Sequence, residues 1–191
     1  MSMPNDAVGV GAAALIGLLV TAGLVGCASD ASSNPVPAAT TGPLSEKAQQ
    51  EQRQAILKMS GQTLNQLYKL KPSTRAEIAQ AAGHGVFEIN GLNAVLAGAH
   101  GRGVLFDKTG KATYMQMVRT DLSPGATVSP YWQVLVFRDP QQFTTFRAAQ
   151  TPTAISGASA PTVYHLGEKG VSTQSDGGAR YVRHPHLNAM Q

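Results

Sequence analysis

The chain has 191 residues, 42% of them apolar: enough for one ordinary domain with a real core, too little for several membrane spans. Only 14% of the residues are charged and the net charge is +4; the low charge content argues against a disordered chain. The bases are scattered without a Lys/Arg block, which argues against nucleic-acid binding and leaves weak attraction to anionic surfaces. Cys27 is the single cysteine, so an intrachain disulfide and any multi-cysteine metal site are excluded.

From Ala7 to Gly26 the sequence carries no charge, and it ends in Leu24-Val25-Gly26-Cys27. This arrangement matches a lipobox, in which small residues fit the signal-peptidase cleft and the cysteine thiol takes up a diacylglyceryl group. Residues 1–26 are therefore expected to form a lipoprotein signal peptide, with Cys27 as lipid-attachment site and mature N-terminus. Loss of that segment, whose one charge is Asp6, would raise the net charge by one. The rival is an uncleaved anchor, since roughly 20 apolar residues cross a bilayer, and the leading MSMPND lacks the positive charge normal in secretory signals. The glycines and alanines weaken an anchor, and a lone cysteine at this place favours lipidation. Ala28, not aspartate, follows the cysteine, which resembles sorting to a Gram-negative outer membrane; in an envelope without one, the chain would stay on the plasma membrane. Residues 27–43, rich in Ser, Ala, Thr and Pro, predict a disordered tether.

Leu44 to Leu70 is rich in Gln, Leu, Lys and Ala, and Ile56, Met59, Thr63, Leu64 and Leu67 fall near helical spacing. This predicts an amphipathic helix packed on the core, a membrane-surface role being the alternative. A second, shorter helix is announced by Pro72-Ser73-Thr74, with Thr74 and Glu77 at capping-box spacing, and is closed by Gly83. Short apolar runs then predict strands over Gly85–Ile89, Ala94–Ala97, Gly103–Phe106, Ala112–Val118 and Gln133–Phe137. Asp107 to Lys111 supplies a hairpin turn in which Gly110 can take positive φ. Alternation in Tyr114–Val118 implies one sheet face against the core. Asp139-Pro140 has the chemistry of a helix start, and Phe143 and Phe146 would be its buried residues. After a loop over Thr151–Pro161, Thr162–Leu166 and Ala179–Arg183 read as late strands. The fold class is α+β: a twisted, mainly antiparallel sheet packed by a few helices, preceded by signal peptide and tether.

The segment from Gly83 to Phe146, GHGVFEINGLNAVLAGAHGRGVLFDKTGKATYMQMVRTDLSPGATVSPYWQVLVFRDPQQFTTF, resembles the SYLF domain, a lipid-binding domain of eukaryotic actin regulators and bacterial lipoproteins. The order carries the likeness: a helix, a GVFEI strand, a second strand ending in glycine, GRGVLF, a turn, a longer strand, small residues around Gly125, WQVLVF, and a short helix with phenylalanines. Residues 44–191 are on this basis a SYLF-like domain, which implies binding of lipid, most simply anionic lipid, without catalysis. The closing segment GVSTQSDGGARYVRHPHLNAMQ is shorter and more polar than the family's later portion, so no ligand residue carries over onto it.

The residues make no independent case for an enzyme. His184-Pro185-His186 has no carboxylate or cysteine cluster to complete a zinc site. His84 and His100 sit beside glycines, as edge-strand polar residues would, with no adjacent nucleophile. Gly98–Gly103 lacks the Lys-Ser/Thr of a phosphate loop, and its glycines suit a tight turn or close packing at a sheet; no Gly-x-Ser-x-Gly elbow is present. No cofactor and no metal are expected. For anionic head groups the candidates are bases near turns, Arg102, Lys108, Lys111 and Arg119, with Lys108 and Lys111 presented together at a hairpin tip. A lipoprotein that docks an envelope protein through an exposed sheet, its basic charge incidental, is the alternative function.

Overall fold

The structure, a computed structural model, describes residues 44–93, 98–121, 129–175 and 178–188. Cys27, the expected signal peptide and tether, the Ala94–Ala97 run and Gly125 lie outside the described residues. Among these, no helix is long and apolar enough to cross a membrane.

Helix α1 spans Glu46–Leu70. Ser45 starts it by accepting the Ala48 N–H at 3.2 Å. Its buried residues, Ile56, Met59, Ser60, Thr63 and Leu67, recur every three or four positions and face the sheet, which agrees with core packing. Helix α2, Thr74–Gln80, follows a tight corner in which Thr74 Oγ1 donates to the Lys71 carbonyl at 2.7 Å. The expected capping box is absent. Ser73 is the N-cap and makes no side-chain cap, while Glu77 is drawn away to accept from Tyr164 Oη and, at 3.0 Å, from Arg138 Nη2. A charge-assisted bond to arginine and the hydroxyl of the buried Tyr164 outcompete the weak local cap.

Eight antiparallel strands follow: β1 Gly83–Asn93, β2 Gly98–Asp107, β3 Ala112–Arg119, β4 Tyr131–Phe137, β5 Thr153–Ala154, β6 Thr162–Gly167, β7 Gly170–Thr173 and β8 Ala179–Arg183. Helix α3, Pro140–Arg147, lies between β4 and β5. They form one sheet in the order β5-β8-β3-β2-β1-β4-β6-β7, which curls into a half-barrel. The long β1–β2 ladder carries one irregularity, between Ile89 and Gly91.

Period-two alternation sends side chains to two faces, and both are filled. The concave face holds Phe87, Ile89, Leu105, Met115, Met117, Leu135, Phe137 and Tyr181. Helix α3 closes it with Phe143 and Phe146, whose rings lie 5.4 and 5.1 Å from Phe137. The convex face holds Val86, Val104, Tyr114, Val134, Val136, Tyr164 and Leu166 against Ile56, Met59 and Leu67 of α1. The expectation that β3 buries only one face is thus corrected: Tyr114 and Met115 are adjacent, opposite in direction, and both buried. A sheet that curls on itself buries its inner face, and helices then cover the outer one.

Glycines make the curl possible at two close approaches. A Cβ on Gly103 would sit 2.3 Å from the Val86 carbonyl oxygen and 2.4 Å from the Phe87 ring, and one on Gly83 would sit 2.4 Å from Phe143. Asp139 caps α3 by accepting from the Gln141 and Gln142 N–H groups, with Pro140 opening the helix, as its sequence chemistry predicts.

The polar C-terminal segment locks the convex side. Asn188 accepts the Tyr114 N–H and donates to the Tyr114 carbonyl, both at 2.9 Å, as a neighbouring strand's peptide would. Leu187 is fully buried, and its carbonyl accepts from Arg53 of α1 at 2.9 Å. The His184 Nδ1 accepts from the His186 and Leu187 N–H groups.

Candidate functional site

An open groove of about 720 Å³ lies where α1 and α2 meet the β2–β3 turn. Leu57, Gly61 and Leu64 form the α1 wall, Ile78 and Ala81 the α2 wall, and His84 and Phe106 the floor. Asp107, Lys108 and Gly110 of the turn make its rim.

Each wall has a reason to stand where it does. Arg75 of α2 lies over the Tyr68 ring of α1, 4.4 Å from its centroid, and Glu77 ties α2 to the sheet through Tyr164 and Arg138. The rim is built on Asp107. Its Oδ1 accepts from the Thr109 N–H at 2.9 Å, from Thr109 Oγ1 at 2.6 Å and from the Lys111 N–H at 3.0 Å, while its Oδ2 pairs with Arg147 at 2.8 Å. These bonds, the Thr109 hydroxyl foremost, hold the Asp107 carboxyl below its ordinary pKa. Gly110 takes φ +81°, where a side chain would be strained.

The floor is uncharged at neutral pH. The His84 ring stacks on Phe106 with centroids 5.2 Å apart, and burial pushes its pKa down to about 4. Leu57 stays 39% exposed on the groove wall, one of three large apolar side chains so exposed among the described residues.

The four bases singled out in the sequence do not converge. Lys108 and Lys111 stand together, exposed, at the β2–β3 tip. Arg102 lies mid-strand and places both Nε and Nη2 on Glu88 Oε2, at 3.2 and 3.1 Å. Arg119 ends β3 far from the turn, where it pairs with Asp121 at 2.7 Å and reaches Tyr131 Oη at 3.3 Å.

That distant end holds a polar chain the sequence did not disclose. Tyr131 stacks on His165 with centroids 5.4 Å apart, His165 Nε2 meets Gln133 Nε2 at 3.3 Å, and Tyr181 Oη donates to Gln133 Oε1 at 2.9 Å. Gln133 is fully buried, and a lone amide inside the run WQVLVF was the available signal. His84 was legible only as a polar residue among glycines; its place on a groove floor depends on helices distant in sequence. Among the described residues, no group of three or more His, Cys, Asp or Glu is arranged to hold a metal ion. Gly98–Gly103, the glycine-rich segment, forms the first part of strand β2.

No protein-family model matches the chain. In an alignment 157 positions long that covers 72% of the chain, the chain is 29% identical to beta cell expansion factor A of Aeromonas veronii. The match covers 59% of that protein, so the chain spans about three fifths of the length of the curated relative it matches.

Proposed function

We propose that this chain is a membrane-tethered lipoprotein whose folded part is a SYLF-type module that binds anionic lipid and performs no chemistry. The observation that carries the reading is the pairing of an apolar groove with a basic hairpin tip: Leu57, Leu64, Ile78 and Phe106 offer apolar surface, Lys108 stands at its edge, and Lys111 is exposed on the same turn. The order of strands and helices along Gly83–Phe146 supports the SYLF resemblance, and the distant similarity to beta cell expansion factor A is compatible with it. A lipid on Cys27 would hold the module near its ligand, on the periplasmic face of an outer membrane by the Ala28 sorting argument. Docking of an envelope protein through an open sheet face has little to use, because both faces of the sheet are occupied by core.

Two measurements test the reading. Co-sedimentation of the purified chain with phosphatidylglycerol-containing vesicles should exceed that with phosphatidylcholine vesicles. Each lysine near an anionic surface is worth about 1 kcal/mol, so the Lys108→Ala/Lys111→Ala variant should bind about thirtyfold more weakly. Equal binding to both vesicle types, or an unchanged double variant, would defeat the proposal. Intact mass of the chain expressed in a bacterial host should show cleavage after Gly26 with acylation, both lost in Cys27→Ala; an uncleaved mass in both proteins would point to a spanning anchor.

A further inference from the structure

The groove is better suited to one class of lipid than to lipid in general. We propose that it binds a single long-chain fatty acid, its alkyl chain lying between α1, α2 and Phe106 and its carboxylate paired with Lys108. The inference rests on the lipid-binding reading and narrows it.

Size comes first. About 720 Å³ falls within the range of sites that take one small-molecule ligand, roughly 300–1,000 Å³. The walls are mainly apolar, interrupted by Ser60 and Gln80, and Leu57 keeps part of its hydrocarbon surface open to water. A bound chain would cover that surface and gain the corresponding hydrophobic stabilisation.

Gly61 points the same way. It sits in the interior of α1, where glycine is a poor helix former, and nothing lies within 4 Å of where its Cβ would be. No close packing within the fold requires glycine here. What its missing side chain leaves is space, and the space is the groove.

Electrostatics select the head group. His84, on the floor, is neutral above pH 5 because burial disfavours its charged form. Asp107 is the one carboxylate lining the groove, and its oxygens are already engaged by Thr109, the Lys111 N–H and Arg147. Lys108 remains at the rim without an ion pair among the described residues. One ammonium beside one apolar channel matches one carboxylate on one alkyl chain.

The test is titration of the purified chain with a fluorescent long-chain fatty acid below its micelle concentration, with displacement by unlabelled decanoate, laurate, myristate and palmitate. We expect saturable one-to-one binding, displaced with an affinity that rises about three- to fourfold per added methylene until the groove is full. Gly61→Leu should fill the groove and weaken binding at least tenfold, while its unfolding midpoint in urea stays at or above that of the wild type. Lys108→Gln should erase the preference for palmitate over hexadecanol. Absence of saturable binding, wild-type affinity in Gly61→Leu, or binding of palmitoyl lysophosphatidylglycerol but not palmitate would overturn the inference. Loss of fatty-acid binding with anionic-vesicle binding intact removes this inference alone, whereas fatty-acid binding with no preference for anionic vesicles removes the vesicle reading and leaves the groove.

Discussion

A single chemical change, glycine to alanine, should have opposite signs at two positions of this fold. At Gly61 the new methyl meets nothing within 4 Å, so only helix propensity responds; alanine is favoured over glycine there by about 0.8–1 kcal/mol. At Gly103 the methyl would lie 2.3 Å from the Val86 carbonyl oxygen and 2.4 Å from Phe87 Cδ1. The first is backbone and cannot swing aside. The second belongs to a fully buried ring packed edge-on against Tyr181, with centroids 4.9 Å apart. Overpacking of this kind costs about 1–3 kcal/mol or more. At roughly 2–4 °C per kcal/mol for a domain of this size, Gly61→Ala should raise Tm by about 3 °C and Gly103→Ala lower it by about 5 °C or more. Trp132, the sole tryptophan, provides a single-site fluorescence signal for thermal and urea unfolding. A Gly103→Ala protein as stable as wild type would refute the close-approach argument, and a destabilised Gly61→Ala protein would refute the claim of open space along α1.

Acid should weaken the fold through His84. Its folded pKa is depressed to about 4 from 6.5, so the unfolded chain binds the proton first, and stability present above pH 6.5 is lost as pH falls toward 4, by up to about 3 kcal/mol. His184 is depressed in the same direction by burial, whereas Asp107 and Asp121, held low by their hydrogen bonds, act only at lower pH. Urea midpoints measured from pH 7.5 to 4.5 should therefore fall steeply for the wild type and less for His84→Phe; parallel curves would remove His84 from the account. Asn188→Ala should leave the Tyr114 N–H without the Asn188 oxygen and cost about 1–3 kcal/mol, with faster hydrogen exchange near the start of β3, and a wild-type exchange pattern would show that the C-terminal segment is no lock.

Local chemistry was legible in the sequence wherever neighbours in the chain decide the outcome. Asp139-Pro140 starts α3 because the aspartate reaches two N–H groups within three residues, and Asp107–Lys111 turns because one carboxylate binds three donors of its own loop. Glu77 shows where such reasoning ends. Its spacing from Thr74 is that of a capping box, yet Tyr164 and Arg138, remote in sequence, claim its carboxylate. Strands β5 and β7, two and four residues long, carry too little pattern to read. The alternation in Tyr114–Val118 shows the face that Met115 and Met117 bury, but not that α1 and the C-terminal segment, remote in sequence, cover Tyr114 on the other. Of the candidate site, the lysine pair of the hairpin tip was readable, but the groove beside it draws on residues from Leu57 to Gly110 and exists only after α1 and α2 have docked.

The same curl decides where a ligand can go. A barrel that carries an apolar ligand inside needs an interior left open by its strands. Here the interior glycines work to the opposite end: Gly85 faces Leu105 and Gly103 faces Phe87 across the β1–β2 ladder, so each glycine admits a large side chain into the concave core. Phe87, Leu105, Met115 and Tyr181 are fully buried there, and Phe143 and Phe146 of α3 add to the packing of that core. With these side chains packed into the concave face, the apolar groove proposed for lipid lies on the side that α1 and α2 cover. The groove lies there, between α1, α2 and the β2–β3 turn, and the turn sets Lys108 on its rim.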